Sequence, residues 1–174
     1  MKRITTILTF LMLVCMGAWA EDYSTGYYTI SPGANTSFQG FYSASNANSK
    51  YGGSSSKGTS LVYFTFEKTD QENVYYWYDC SNRKYIYADD SGYLQVADSK
   101  ATDDNNYKWF IKDDGNGNLT ITDMTNYNNG SPTKGLIQLS TVGGWWASKC
   151  TLSSNSGRNT WKFNLLMKKN TPYY

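Results

Sequence analysis

The chain has 174 residues, with 16 lysines and arginines against 14 aspartates and glutamates, 17% aromatic residues and no histidine. The missing imidazole removes Ser-His-Asp and Cys-His catalysis together with the commonest metal ligand. Lys2 and Arg3 account for the whole positive excess, and no basic block exceeds Lys168-Lys169, so a phosphate-tracking surface is unsupported and nucleic acid is not an expected partner.

In chain order, MKRITTILTFLMLVCMGAWA comes first, with a basic start, an apolar run from Ile7 to Val14, and Ala18 and Ala20 in a small-x-small arrangement. It predicts a signal peptide over 1–20, cleaved after Ala20, and hence a secreted or periplasmic protein. A spanning helix needs about 20 apolar residues, so no transmembrane segment is expected after cleavage. Val14 is larger than the residue that usually precedes a lipoprotein cysteine, which argues against Cys15 as a lipid anchor. Residues 21–174 suit a single domain. Tyrosine and tryptophan are abundant, and Gly, Ser, Asn and Asp are spread throughout, which predicts short strands joined by turns and an all-β class.

Strand-like runs then recur. Residues 27–30, 38–43 and a weak run around Tyr51 precede 62–66. Residues 74–78, 84–88 and 93–97 precede 107–111, with Asp89-Asp90-Ser91-Gly92 as a turn. Residues 119–122, 135–140 and 145–152 precede 159–163, with 141–144 as a turn. Each closing run sets a large aromatic two positions before another apolar residue, as Phe64/Phe66, Trp109/Ile111 and Trp161/Phe163, the period of a half-buried strand. The anchors Phe64, Trp109 and Trp161 lie 45 and 52 residues apart. That spacing predicts internal repeats at about 24–70, 71–116 and 117–168, twelve strands in all.

Three units of four short strands, each closed by an aromatic-x-apolar strand, resemble a β-trefoil, in particular the ricin-B-type lectin domain whose repeats end in Gln-x-Trp. The stretch YDCSNRKYIYADDSGYLQVADSKATDDNNYKWFIKD carries the resemblance best. It implies a six-stranded barrel capped by three hairpins, with pseudo-threefold symmetry and up to three equivalent pockets. In that family a pocket uses an Asp on the second strand, a Gln and an aromatic on the third, and an Asn-Gln pair before the anchor Trp. On the second unit Gln95 and Asn106 match, whereas Tyr87 stands at the Asp position, Ala97 at the aromatic and Tyr107 at the closing Gln. On the third unit Gln138 falls near the Asp position, with Arg158 and Asn159 at the closing pair. The first unit matches at none.

The residues themselves add a physical argument. Sugar recognition needs flat aromatic faces with Asp, Asn and Gln around them. With the inward anchors assigned to the core, Trp77, Tyr87, Tyr93, Phe110, Trp145 and Trp146 are left, and for most of them core packing is the ordinary reading. Trp145 and Trp146 are adjacent, so strand alternation sends one inward and one outward unless Gly143 and Gly144 introduce a bulge. Asp113-Asp114-Gly115-Asn116-Gly117-Asn118 reads as a turn, since it lacks the terminal glutamate of a calcium loop. Cys80 and Cys150 read either as a disulfide or as two buried thiols.

The expectation is therefore a secreted, non-catalytic carbohydrate-binding protein without a cofactor or metal, whose partner is a glycan or polysaccharide. Its contact residues are expected to be Trp145, Trp146, Gln138 and Asn159 in one site and Tyr87, Gln95 and Asn106 in another. The alternative is a protein-binding trefoil, such as a protease inhibitor presenting the 43–60 loop with Lys50 or Lys57 as its anchor. No nucleophile motif supports an enzyme.

Overall fold

The computed structural model describes residues 21–33, 40–43, 50–54, 62–128, 131–132, 135–138, 150–153 and 160–170. The expected signal peptide lies outside the described residues. So does most of the 43–60 loop, including Lys57.

The described strands are β1 (Gly26–Pro32), β2 (Gly40–Ser43), β3 (Tyr51–Ser54), β4 (Phe64–Lys68), β5 (Val74–Asp79), β6 (Lys84–Ala88) and β7 (Leu94–Ala97). They continue as β8 (Lys108–Asp113), β9 (Leu119–Asp123), β10 (Tyr127–Asn128), β11 (Ser131–Pro132), β12 (Gly135–Gln138), β13 (Cys150–Ser153) and β14 (Trp161–Lys168). β10 and β11 form a two-residue ladder beyond the twelve strands expected. It occupies a stretch where Asn and Gly outnumber apolar residues, so no alternation announces it.

Pairing runs β4-β1-β14-β9-β8-β5, and β4 also pairs with β5, so the six strands close into a ring. The β1/β14 seam runs in register from Gly26 opposite Lys168 to Pro32 opposite Trp161, with one irregularity between Tyr27 and Tyr28. Closure leaves these strands no free edge. Three hairpins, β2/β3, β6/β7 and β12/β13, complete the pattern.

Alternation fills the barrel. Phe64, Phe66, Trp77 and Trp109 are fully buried, Ile111 and Trp161 nearly so, and Phe163 packs against them. Phe66 stacks on Phe163 at 4.9 Å, and Trp77 meets Trp109 edge-on at 5.3 Å. Such contacts add to the area that these large rings bury. A ring nitrogen in such a core needs an acceptor, and two of them find one in a hairpin strand. Trp109 Nε1 donates to Ile86 O at 2.9 Å, and Trp161 Nε1 donates to Leu136 O at 2.7 Å. Phe64 has no such donor, and the corresponding carbonyl of the first hairpin, Phe41 O, accepts instead from the Val62 backbone N–H at 3.0 Å. Trp77 Nε1 is buried without a partner among the described residues.

Two barrel strands end in buried carboxylates. Asp79 accepts from Tyr51 Oη at 2.5 Å, from the Asn82 N–H at 2.8 Å and from Asn82 Nδ2 at 2.7 Å. Asp123 accepts from the Asn126 N–H at 3.2 Å and from its Nδ2 at 2.7 Å. These bonds compensate the desolvation that would otherwise make each carboxylate costly.

The two core tryptophans should respond differently to truncation. Trp109→Phe strands the Ile86 carbonyl, whereas Trp77→Phe removes a donor that has no acceptor. In urea titrations Trp109→Phe should cost about 1–2 kcal/mol more than Trp77→Phe. Equal losses would show that the indole bond to the hairpin adds nothing.

Candidate functional site

The second hairpin brings together two of the expected residues. Tyr87 on β6 lies directly opposite Gln95 on β7. Asp89, two positions beyond Tyr87, folds the turn back on itself. Its Oδ1 accepts from the Ser91 N–H at 3.0 Å and the Tyr93 N–H at 2.9 Å, while Oδ2 accepts from Gln95 Nε2 at 2.9 Å. The backbone agrees, since Asp89 N–H donates to Tyr93 O at 3.0 Å and Gly92 N–H to Asp89 O at 2.7 Å. Gly92 has φ 81°, a conformation that a side chain would resist. The turn thus fixes the orientation of the Gln95 amide.

A short 3-10 turn, Asn105–Tyr107, supplies the rest. Asp104 caps it by accepting from the Asn106 N–H at 2.8 Å. Strand alternation alone would send Tyr107 inward with Trp109, but the turn ends before β8 begins and frees the ring. Tyr107 stacks on Tyr87 at 4.8 Å with 17° between the ring planes. Burial, reinforced by Tyr87 and Asp104, pushes the Tyr107 hydroxyl above its usual pKa, so it stays protonated at neutral pH. Asn106 lies beside Tyr107, yet its Oδ1 accepts from Thr125 Oγ1 at 2.6 Å and so ties the turn to the end of β9.

Tyr87 and Gln95 converge, and Asn106 is adjacent but engaged in a structural bond. Asp89 and Tyr107 are members that sequence reasoning missed. In the sequence Asp89 reads as a turn residue, although its spacing of two from Tyr87 puts it on the same face, and Tyr107 reads only as a departure from the family's Gln. Gln138 takes its backbone position opposite Cys150 in the third hairpin. Trp145, Trp146 and Asn159 lie outside the described residues.

Other candidates resolve into structure. Trp77 belongs to the core, and Phe110 packs on Tyr127 at 4.4 Å. The 113–118 segment is a turn in which Asp114 Oδ1 accepts from the Asn116 N–H at 2.8 Å and the Asn118 N–H at 3.1 Å. Lys50 is exposed, and its backbone N–H donates to Leu94 O at 2.9 Å. Cys80 is a free thiol, which burial and the neighbouring Asp79 push up to about 11. Among the described residues no three His, Cys, Asp or Glu side chains converge as a ligand set.

A stacked tyrosine pair beside an oriented amide and carboxylate offers a flat apolar face with hydrogen-bonding groups around it. This arrangement can hold a polyhydroxylated ring by stacking and hydroxyl bonds.

No protein-family model matches the chain, and no curated relative matches it. Solved structures do. A GH43 β-1,3-galactosidase superposes with TM-score 0.63 at 18% identity, over 89% of this chain and 30% of that one. The Polyporus squamosus lectin, solved with the epitope Neu5Acα2-6Galβ1-4GlcNAc, gives 0.56 at 11% identity, over 84% of this chain and 51% of that one. The BEL β-trefoil gives 0.55 at 14% identity, over 81% and 93%. The chain thus spans about a third of the galactosidase and about half of the lectin. It is an all-β protein with the β-trefoil fold, and lectins of ricin-B-like form stand among its structural neighbours.

The turn carboxylate can be tested without a ligand. Asp89→Ala should raise amide hydrogen exchange at Ser91 and Tyr93 by about ten-fold, or about 1.4 kcal/mol of local stability, while protection in β5 and β8 is kept. Unchanged protection at those two amides would show that the backbone alone holds the turn.

Proposed function

We propose that the chain is a secreted, non-catalytic carbohydrate-binding protein and that its second hairpin carries a glycan contact surface. The observation that carries the reading is the Tyr87–Tyr107 stack beside Gln95, whose amide is fixed by Asp89. One Tyr ring supports the other, so the outer ring meets a sugar without having to be ordered first, which lowers the entropic cost of binding. Gln95 and Asp89 supply a donor and acceptors for hydroxyls. Asn106 acts by holding the turn that seats Tyr107. A lectin with a bound sialylated epitope among the structural neighbours supports the ligand class.

A second surface, formed by Trp145, Trp146, Gln138 and Asn159, is proposed on the sequence argument. Secretion rests on the features of residues 1–20, and residues 21–174 are proposed as one domain. Two weak sites on one chain would raise avidity for a polymeric glycan through effective concentration.

A broad glycan array tests the reading. The purified protein should bind at least one neutral glycan. Tyr87→Ala and Tyr107→Ala should each weaken that binding about ten-fold, a loss of about 1.4 kcal/mol, with little change in thermal stability. Trp145→Ala and Trp146→Ala form the matching test of the second surface. Silence across the array would sink the proposal, and binding indifferent to all four substitutions would remove both sites.

A further inference from the structure

A cleft of about 710 Å³ opens on the outer wall of the barrel, between β1, β4, β5 and the end of β14. It shares no residue with the Tyr87 surface. Tyr27, Tyr63 and Tyr78 line it together with Leu166 and Met167, and Tyr63 and Leu166 are 41% and 57% exposed. Outward positions on a barrel strand are ordinarily polar. Here they form an aromatic and aliphatic trough of a volume typical of small-ligand sites.

The charges around it are unbalanced. Glu67 is already matched, since it forms an ion pair with Lys100 and accepts from Tyr85 Oη at 2.8 Å. Lys169 sits with Nζ 5.9 Å from the centre of the Tyr27 ring, and Arg83 has no ion pair among the described residues. Arg83 also holds φ 58°, and among the described residues the other two non-glycine residues with positive φ, Asn73 and Asn170, are of the type that tolerates it. An arginine there costs about 1 kcal/mol of strain. The turn beneath it is rigid, because the buried Asp79 accepts two bonds from Asn82, the residue before Arg83. The fold therefore holds, at the edge of an aromatic trough, a strained cation with no ion pair among the described residues.

We propose that this cleft is a binding site for a carboxylated saccharide, such as a uronate or sialate. The pyranose ring stacks on the tyrosine faces while the carboxylate meets the Arg83 guanidinium, whose planar fork matches it in two-point geometry. Lys169 adds positive charge at the same mouth. The ligand class rests on the carbohydrate reading above, whereas the residues are independent of it.

The test titrates the purified protein with trigalacturonate and sialyllactose, each beside its neutral counterpart, the methyl ester and lactose. At least one acid should bind saturably, about ten-fold or more tightly than its neutral counterpart, and binding should weaken as salt rises. Arg83→Asn, which keeps a side chain suited to the left-handed backbone, should erase the preference for the acid, and Tyr63→Ala should weaken binding. Tyr87→Ala should leave the preference for the acid over its neutral counterpart in place, since that preference rests on Arg83. If neither acid binds, if acid and neutral forms bind alike, or if Arg83→Asn changes nothing, the inference is overturned. The two readings separate cleanly. Neutral-glycan binding that Tyr87→Ala weakens, with no response to the acids, leaves the hairpin site and removes this one. Acid binding that Arg83→Asn abolishes, with no glycan response to Tyr87→Ala, does the reverse.

Discussion

An indole N–H buried in an aromatic core gains most when it finds an oxygen, and at two of the anchors the oxygen it finds ties a hairpin to the barrel. Trp109 reaches Ile86 O and Trp161 reaches Leu136 O, so a barrel strand is tied to a hairpin strand at two places by the same chemistry. Each bond is worth about 1 kcal/mol net, yet each would leave a buried carbonyl and a buried N–H unsatisfied if broken, and that penalty keeps the hairpin in register. The Tyr87 surface depends on it directly. Tyr87 follows Ile86 in β6, so the bond that anchors Ile86 also sets the position of the stacked ring. At Phe64 the anchor has no N–H, and the Val62 backbone N–H donates to the hairpin carbonyl Phe41 O in its place, so the missing ring donor is compensated through the main chain.

Much of this was legible because barrel strands obey a period of two. Phe64/Phe66, Trp109/Ile111 and Trp161/Phe163 declared their inward face unaided, and the closing strands fixed the fold. Alternation loses its phase where aromatics occupy both parities. β5 reads VYYWYD, and its first four residues are all buried, since Lys100 covers Tyr76 at 4.4 Å from the ring centre and Tyr76 Oη reaches Thr102 O at 3.3 Å. A strand buried on both faces carries no alternation to read. Trp77 therefore remained among the candidates for ligand contact, although it sits at the centre of the core.

The polar positions failed for a different reason. YDCSN at 78–82 and TDMTN at 122–126 share the pattern Asp-x-x-Asn, 44 residues apart, a repeat available to the eye. Asp and Asn are the commonest turn residues, so the pair suggests a surface turn. In the fold the two aspartates are the buried ends of β5 and β9, and Asp79 gains a third donor from Tyr51, 28 residues earlier in the chain. Long-range partners of this kind leave no local trace. The same holds for Tyr107, whose release from strand alternation depends on a 3-10 turn one residue before β8.

The outward positions explain how such a fold can change its ligand without changing its core. Tyr87 stands between Ile86 and Ala88, and Tyr78 between Trp77 and Asp79, and all four neighbours are fully buried or nearly so. A strand thus carries two sequences interleaved, one that answers to packing and one that answers to whatever lies outside. Substitution in the outer one leaves barrel volume unchanged and costs little stability, while substitution in the inner one is felt through every neighbour. This separation accounts for a chain that keeps the trefoil at 11–18% identity to its structural neighbours while Ala97 and Tyr107 stand where a ricin-type pocket would need an aromatic and a Gln. The outer sequence was free to build a different surface. Tyr107 joins that surface by another route, since the 3-10 turn releases it from the inward parity of Trp109 and lets it stack on Tyr87.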